Sequence, residues 1–86
     1  MNEYIKTTPQ GTKLYYKDKE KTILHREDGP AVIGAKGLDV KWYRNNMLHR
    51  MDGPAIEYAD GRRMWFVNEE FIFEVNSSGD IYKKPQ

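Results

Sequence analysis

The sequence predicts an all-β protein of consecutive antiparallel hairpins, forming a meandering sheet or a short β-solenoid, and three observations carry that prediction. An eight-residue stretch is written twice, Leu24-His25-Arg26-Glu27-Asp28-Gly29-Pro30-Ala31 and Leu48-His49-Arg50-Met51-Asp52-Gly53-Pro54-Ala55, identical at seven of eight positions and offset by 24 residues. A fixed period of this size marks a repeat architecture. Turn signals recur every 8 to 14 residues between runs that alternate apolar and polar, the period of a half-buried strand. No window of a dozen residues sustains apolar positions at helical spacing without Gly or Pro, so little or no helix is expected.

Taken in order, Tyr4 to Thr8 is β-prone, and Pro9-Gln10-Gly11 turns it into Lys13-Leu14-Tyr15-Tyr16. Asp18-Lys19-Glu20-Lys21 reads as a solvated turn, and Thr22-Ile23-Leu24 leads into the first duplicated stretch. Asp-Gly-Pro-Ala is turn chemistry: Asp bonds to backbone N–H groups ahead of it, Gly relaxes φ, and Pro fixes its own φ without an N–H. Each copy is therefore a corner that launches a strand with Pro at its first position. Leu38, Val40 and Trp42 alternate with Asp39, Lys41 and Tyr43, and the first set is expected in the core. After the second corner Ile56 and Tyr58 share a face, and Ala59-Asp60-Gly61-Arg62 is a hairpin turn. Phe71, Phe73 and Val75 alternate with Ile72 and Glu74 before a last turn at Ser78-Gly79-Asp80.

Trp42 and Trp65 lie 23 rather than 24 residues apart, which points to a loop deletion or a bulge in the second copy. Gly61 stands four residues before Trp65 and Gly11 four before Tyr15, so the N-terminal region reads as a degenerate earlier copy. The single domain 1–86 divides into a degenerate unit 4–23, full units 24–47 and 48–70, and a worn cap 71–83.

The run His-Arg-x-Asp-Gly-Pro-Ala, then a strand, Gly, a Trp-containing strand and an Asn turn, resembles the short β-hairpin repeat of many small proteins from tailed bacteriophages and their bacterial hosts. It is loosely similar in plan to MORN repeats. The matching residues are His25, Arg26, Asp28, Gly29, Pro30, Ala31, Trp42 and Asn45, then His49, Arg50, Asp52, Gly53, Pro54, Ala55, Gly61, Trp65 and Asn68, so the resemblance spans roughly 24–70. It implies architecture, and beyond that a phage-encoded protein that modulates or inhibits a host or defence factor. Asn46 and Glu69 depart from the Asn-Gly expected at the turns, which leaves a type I′ geometry there open.

Composition sets the remaining bounds. At 86 residues without cysteine, neither disulfides nor thiolate metal sites supplement the core. Aromatic residues, 13% of the chain, must supply buried area. Apolar runs are too short for a membrane span or a signal-peptide core, and Met1-Asn2-Glu3 is not a basic leader start, so a cytoplasmic protein without membrane contact is expected. Net charge is +1, yet residues 1–26 carry six bases against three acids and residues 66–80 carry four acids and no base. Opposite-sign ends steer charged partners or favour head-to-tail association.

The duplicated polar residues admit three readings. A catalytic His with an Asp orienter lacks a Ser or Cys nucleophile beside it, and the trio occurs twice where chemistry needs one asymmetric site. A metal site from His25, His49, Asp28 and Asp52 matches no zinc spacing and has Arg neighbours that oppose a cation. The third reading is favoured: His25, Arg26, Asp28, Gly29, Pro30 and Trp42, with His49, Arg50, Asp52, Gly53, Pro54 and Trp65, serve the repeat itself. In it Arg pairs with Asp, and His bonds to a backbone carbonyl. No enzyme activity, metal or cofactor is expected.

Residues that break the repeat are the better candidates for function. Tyr15, Tyr16, Lys17, Lys19 and Lys21 interleave rings with bases, and Tyr43, Arg44, Arg62 and Arg63 extend such a surface if hairpins stack. That composition suits single-stranded nucleic acid or nucleotides and equally suits protein interfaces. Near-zero net charge favours a protein partner, with RNA binding and self-association through open sheet edges as alternatives.

Overall fold

A computed structural model describes residues 4–83; the expectation placed on Met1-Asn2-Glu3 falls outside them. Ten strands follow in order: β1 Tyr4–Thr7, β2 Lys13–Tyr16, β3 Val32–Ile33, β4 Val40–Lys41, β5 Tyr43–Arg44, β6 Met47–Leu48, β7 Ile56–Glu57, β8 Arg63–Val67, β9 Glu70–Val75 and β10 Ile81–Lys83. Eight of them form one antiparallel sheet in the order β1-β2-β3-β4-β7-β8-β9-β10, and β5 pairs with β6 alone. The sheet is an open meander, so of the two arrangements the sequence allows, the sheet holds and a closed solenoid does not. Among the described residues the helical content is one 3-10 turn at Ala35–Gly37.

The turns explain the register. Gly11, Gly61 and Gly79 take φ of 96°, 95° and 90° and each donates its N–H to the carbonyl three residues back. This is the three-residue hairpin loop in which a residue beyond a type I turn must enter left-handed space. The loop from Gly34 to Asp39 has the same Gly37-to-Gly34 bond but closes through Gly34 N–H to Asp39 O at 3.1 Å, one residue wider than Thr8 to Thr12. The single-residue mismatch in the Trp spacing is therefore an insertion before Trp42 rather than a deletion in the second copy. Its cost falls on Leu38, which is 52% exposed instead of joining Val40 and Trp42, and on Asp39, which takes φ of 52° and breaks the alternation. A bulge also sits between Trp65 and Phe66.

The second kind of turn closes the opposite hairpins. Asn45 and Asn46 have φ of 49° and 65°, and Asn68 and Glu69 have 47° and 70°. Left-handed φ at both central residues defines type I′, the turn whose twist matches its strands. Asn46 replaces the expected Gly because its side chain works elsewhere: Oδ1 accepts the Leu24 N–H at 2.6 Å and Nδ2 donates to Thr22 O at 3.1 Å.

The fold measures 39 × 26 × 17 Å, the eight-stranded sheet with the β5–β6 hairpin beside it. Its core is thin: Tyr15, Ala31, Ala55, Ile56 and Val75 are buried. Ala31 and Ala55 have no exposure, and their carbonyls accept the Tyr15 and Trp42 N–H at 2.8 and 2.7 Å. Each corner thus crosses the preceding ring-bearing residue at a fully buried alanine. The strands after the corners begin two residues beyond Pro30 and Pro54, at Val32 and Ile56, so the prolines lie in the corners.

Candidate functional site

Both copies of the duplicated stretch build the same object. The Arg26 guanidinium stacks on Tyr15 with its carbon 4.0 Å from the ring centroid, and Arg50 stacks on Trp42 at 3.9 Å. Their Nη1 atoms donate to Pro30 O at 3.2 Å and Pro54 O at 3.1 Å, closing each corner on itself. Glycine at 29 and 53 leaves room for the guanidinium: a Cβ there would stand 2.9 and 2.8 Å from its carbon, so the arginine side chain would have to shift. Asp28 and Asp52 pair with Arg Nε at 3.5 and 3.0 Å, yet they are 78% and 84% exposed. Among the described residues neither carboxylate accepts a backbone N–H, so these aspartates orient a guanidinium and do not cap the turn.

The histidines pin the next hairpin. Asn45 N–H donates to Nδ1 of His25 and Asn68 N–H to Nδ1 of His49, both at 3.0 Å. The expected bond from His to a carbonyl is thus replaced by one in which the ring accepts, because the type I′ turn presents an N–H and not a C=O. With Nδ1 accepting, the ring proton stands on Nε2. Through that N–H His25 donates a hydrogen bond to the Glu27 carboxylate. This bond, joined by the charges of Arg44 and Lys17, holds the Glu27 carboxyl below the usual glutamate range.

The ladder ends at the third ring. Arg50 follows Trp42 by eight residues, and eight after Trp65 stands Phe73. Phe73 stacks on Trp65 with centroids 4.3 Å apart and planes within 15°. Both Trp rings are half-buried beneath these covers, as packing residues.

Between the two corners lies a cleft of about 280 Å³ lined by Arg26, Glu27, Trp42, Tyr43, Arg44, His49, Arg50, Met51 and Asp52. Three guanidinium groups face two carboxylates there. Burial and the Glu69 charge raise the Tyr43 hydroxyl above its ordinary range. Met51, 76% exposed, is the most open of the large apolar side chains among the described residues and belongs to this lining.

The structure divides the nine surface residues singled out by sequence. Tyr43 and Arg44 line the cleft. Lys17 donates to Asn45 Oδ1 across the hairpin tips, and Lys19 and Lys21 are exposed in the neighbouring 17–23 loop. Tyr16 is half-buried, pairing with Tyr4 in β1 and bridging Leu24. Tyr15 is 9% exposed and holds Arg26, which removes it from the surface. Arg62 stacks on Tyr58 at 4.3 Å and pairs with Asp60 at 3.0 Å in the far turn, while Arg63 sits 5.8 Å from Trp65. The row of rings and bases therefore does not form as one surface. Sequence reasoning passed over Glu27 and Met51, although a signal was present: they are the single mismatch within the duplication.

These features define a class: an open meander of hairpins joined by arginine-locked corners, with a mixed-charge cleft where two corners meet. Compared with known proteins, the chain matches no family model, no curated protein and no solved structure. Among the described residues no helix is long and apolar enough to cross a membrane, and no cluster of three or more His, Asp or Glu is placed to hold a metal ion.

Proposed function

We propose that this chain is a non-enzymatic binding protein that engages a protein partner through the cleft between its corners and the rim formed by Tyr43, Arg44 and Met51. The observation that carries the reading is the company Met51 keeps: an open methionine beside an exposed arginine, over an aromatic floor. Aromatics, Met and Arg are the side chains enriched at protein interfaces, and the thioether adapts to an uneven surface. Acids and bases side by side set the orientation of a polypeptide. The acids among them repel part of a phosphate backbone. The resemblance to phage hairpin-repeat proteins supplies the context of this proposal, a host or defence factor in a bacterial cytoplasm modulated or inhibited by contact.

The test is affinity capture from bacterial lysate with and without nuclease, using the intact chain beside Arg44→Glu and Lys19→Glu variants. A protein captured stoichiometrically, resistant to nuclease, lost with Arg44→Glu and kept with Lys19→Glu supports the reading. Stoichiometric RNA, or a complex that falls apart on digestion, replaces it with nucleic-acid binding.

A further inference from the structure

The two corners differ in one respect that matters chemically. In the first, the Nε2–H of His25 donates a hydrogen bond to the Glu27 carboxylate. In the second, the ring is held in the same way, with Nδ1 accepting the Asn68 N–H at 3.0 Å, but the residue equivalent to Glu27 is Met51, which accepts no such bond. Among the described residues His49 Nε2 has no hydrogen-bond partner, and His49 lines the cleft together with Arg44.

Resting on the proposed protein-binding role, we infer that His49 and Arg44 form a carboxylate-binding site, filled by an Asp or Glu side chain of the partner. The first corner supplies the template: a carboxylate against a histidine whose other nitrogen is held by a type I′ turn, with Arg44 and Lys17 contributing favourable charge. The second corner repeats the donor and leaves the acceptor to come from outside. Arg44, whose charge also reaches Glu27 across the cleft, is the guanidinium left to it, because Arg26 and Arg50 are committed to their rings and to the Pro30 and Pro54 carbonyls. An imidazole N–H beside a guanidinium makes charge-assisted bonds to an anionic oxygen. Met51, open at the rim, leaves the approach unblocked and covers the apolar stem of the incoming side chain.

The inference is read from histidine side-chain nitrogen signals by NMR, titrating the full chain with a capped oligoglutamate peptide. A capped oligoglutamine peptide and an oligothymidylate are run beside it. The expected result is a saturable shift of the His49 ring with oligoglutamate alone. Met51→Glu places an internal carboxylate where Glu27 stands in the first copy and weakens peptide binding by about tenfold or more, the worth of a bond to a charged group, whereas Met51→Gln keeps binding. Glu27→Met opens the first corner, so that the His25 ring responds as well. A silent His49, an undiminished response in Met51→Glu, or a shift produced by oligothymidylate and not by the peptide overturns the inference. If a captured partner survives Met51→Glu, protein binding stands and this site falls. If the peptide response follows the prediction and no protein is captured, the site stands and the wider reading falls.

Discussion

Replacing Gly53 by Ala isolates the arginine lock. Gly53 does not use left-handed φ, so the backbone accepts alanine, but the new Cβ stands 2.8 Å from Arg50 Cζ and 3.0 Å from its Nη1, against the 3.5–4.0 Å that carbon contacts prefer. The guanidinium has no slack toward Trp42, already 3.9 Å away, so it must leave its place. That forfeits a cation–π contact of about 0.5–2 kcal/mol and a bond to the Pro54 carbonyl of about 1–1.5 kcal/mol. The loss of chain entropy in the unfolded state returns about 0.4–1 kcal/mol. The balance is destabilisation by roughly 1–2 kcal/mol, and each kcal/mol lowers the melting midpoint of a domain this size by about 4–8 °C. The sign reverses in an Arg50→Ala background: with no guanidinium to displace, Gly53→Ala stabilises by about 0.4–1 kcal/mol. Urea unfolding of the four proteins closes the double-mutant cycle, with an expected coupling near 2 kcal/mol. Effects that add within about 0.5 kcal/mol, the level seen for independent sites, refute the lock.

Three further outcomes follow from the same geometry. Glu69→Gly relieves a left-handed residue and stabilises by about 1 kcal/mol, while Asn46→Gly, at the equivalent turn position, destabilises because it removes the bonds to Leu24 and Thr22; thermal melts of the pair check the opposite signs. Asp52→Ala changes stability by about 1 kcal/mol or less, the range of exposed ion pairs, since its carboxylate is 84% exposed; a larger loss in urea unfolding refutes the surface assignment. Asp18 is held below 3.8 by the Thr22 hydroxyl first and by the Thr22 and Ile23 N–H groups. Its folded pKa is thus below the unfolded one, so its contribution is present above the ordinary Asp range and is lost as pH falls through the native titration. Carboxyl carbon NMR should show Thr22→Val moving that midpoint upward.

What the sequence disclosed was type and spacing. The period-two alternation of Phe71 to Val75, the turn glycines and the duplicated corners put strands and hairpins where they are, because these signals depend only on neighbours along the chain. The partners of the polar atoms were not legible in the same way. Whether His25 meets a carbonyl or an N–H depends on which half of a type I′ turn folds beneath it, a turn that lies 20 residues away. Tyr15 looked like a surface ring because nothing adjacent marks Arg26, eleven positions later, as its cover. Asp28 and Asp52 carried the composition of a turn cap, but the guanidinium two residues earlier claims them.

The stack of Phe73 on Trp65 has a consequence for how such a chain can grow. Phe73 occupies the position of a third arginine, so the series stops at its C-terminal side, and new units must enter upstream of it. Duplication of the 24-residue unit between two existing corners keeps every histidine over a following turn and every arginine over a preceding ring. Because a cleft forms only where two corners adjoin, each duplication adds one cleft, and each arrives with its own copy of the position that is Glu at 27 and Met at 51. A single substitution there decides whether the histidine of the new cleft meets a carboxylate within its own corner, as His25 meets Glu27, or keeps its Nε2–H open, so clefts of either kind can multiply by unequal recombination while the lock that folds each unit is inherited intact.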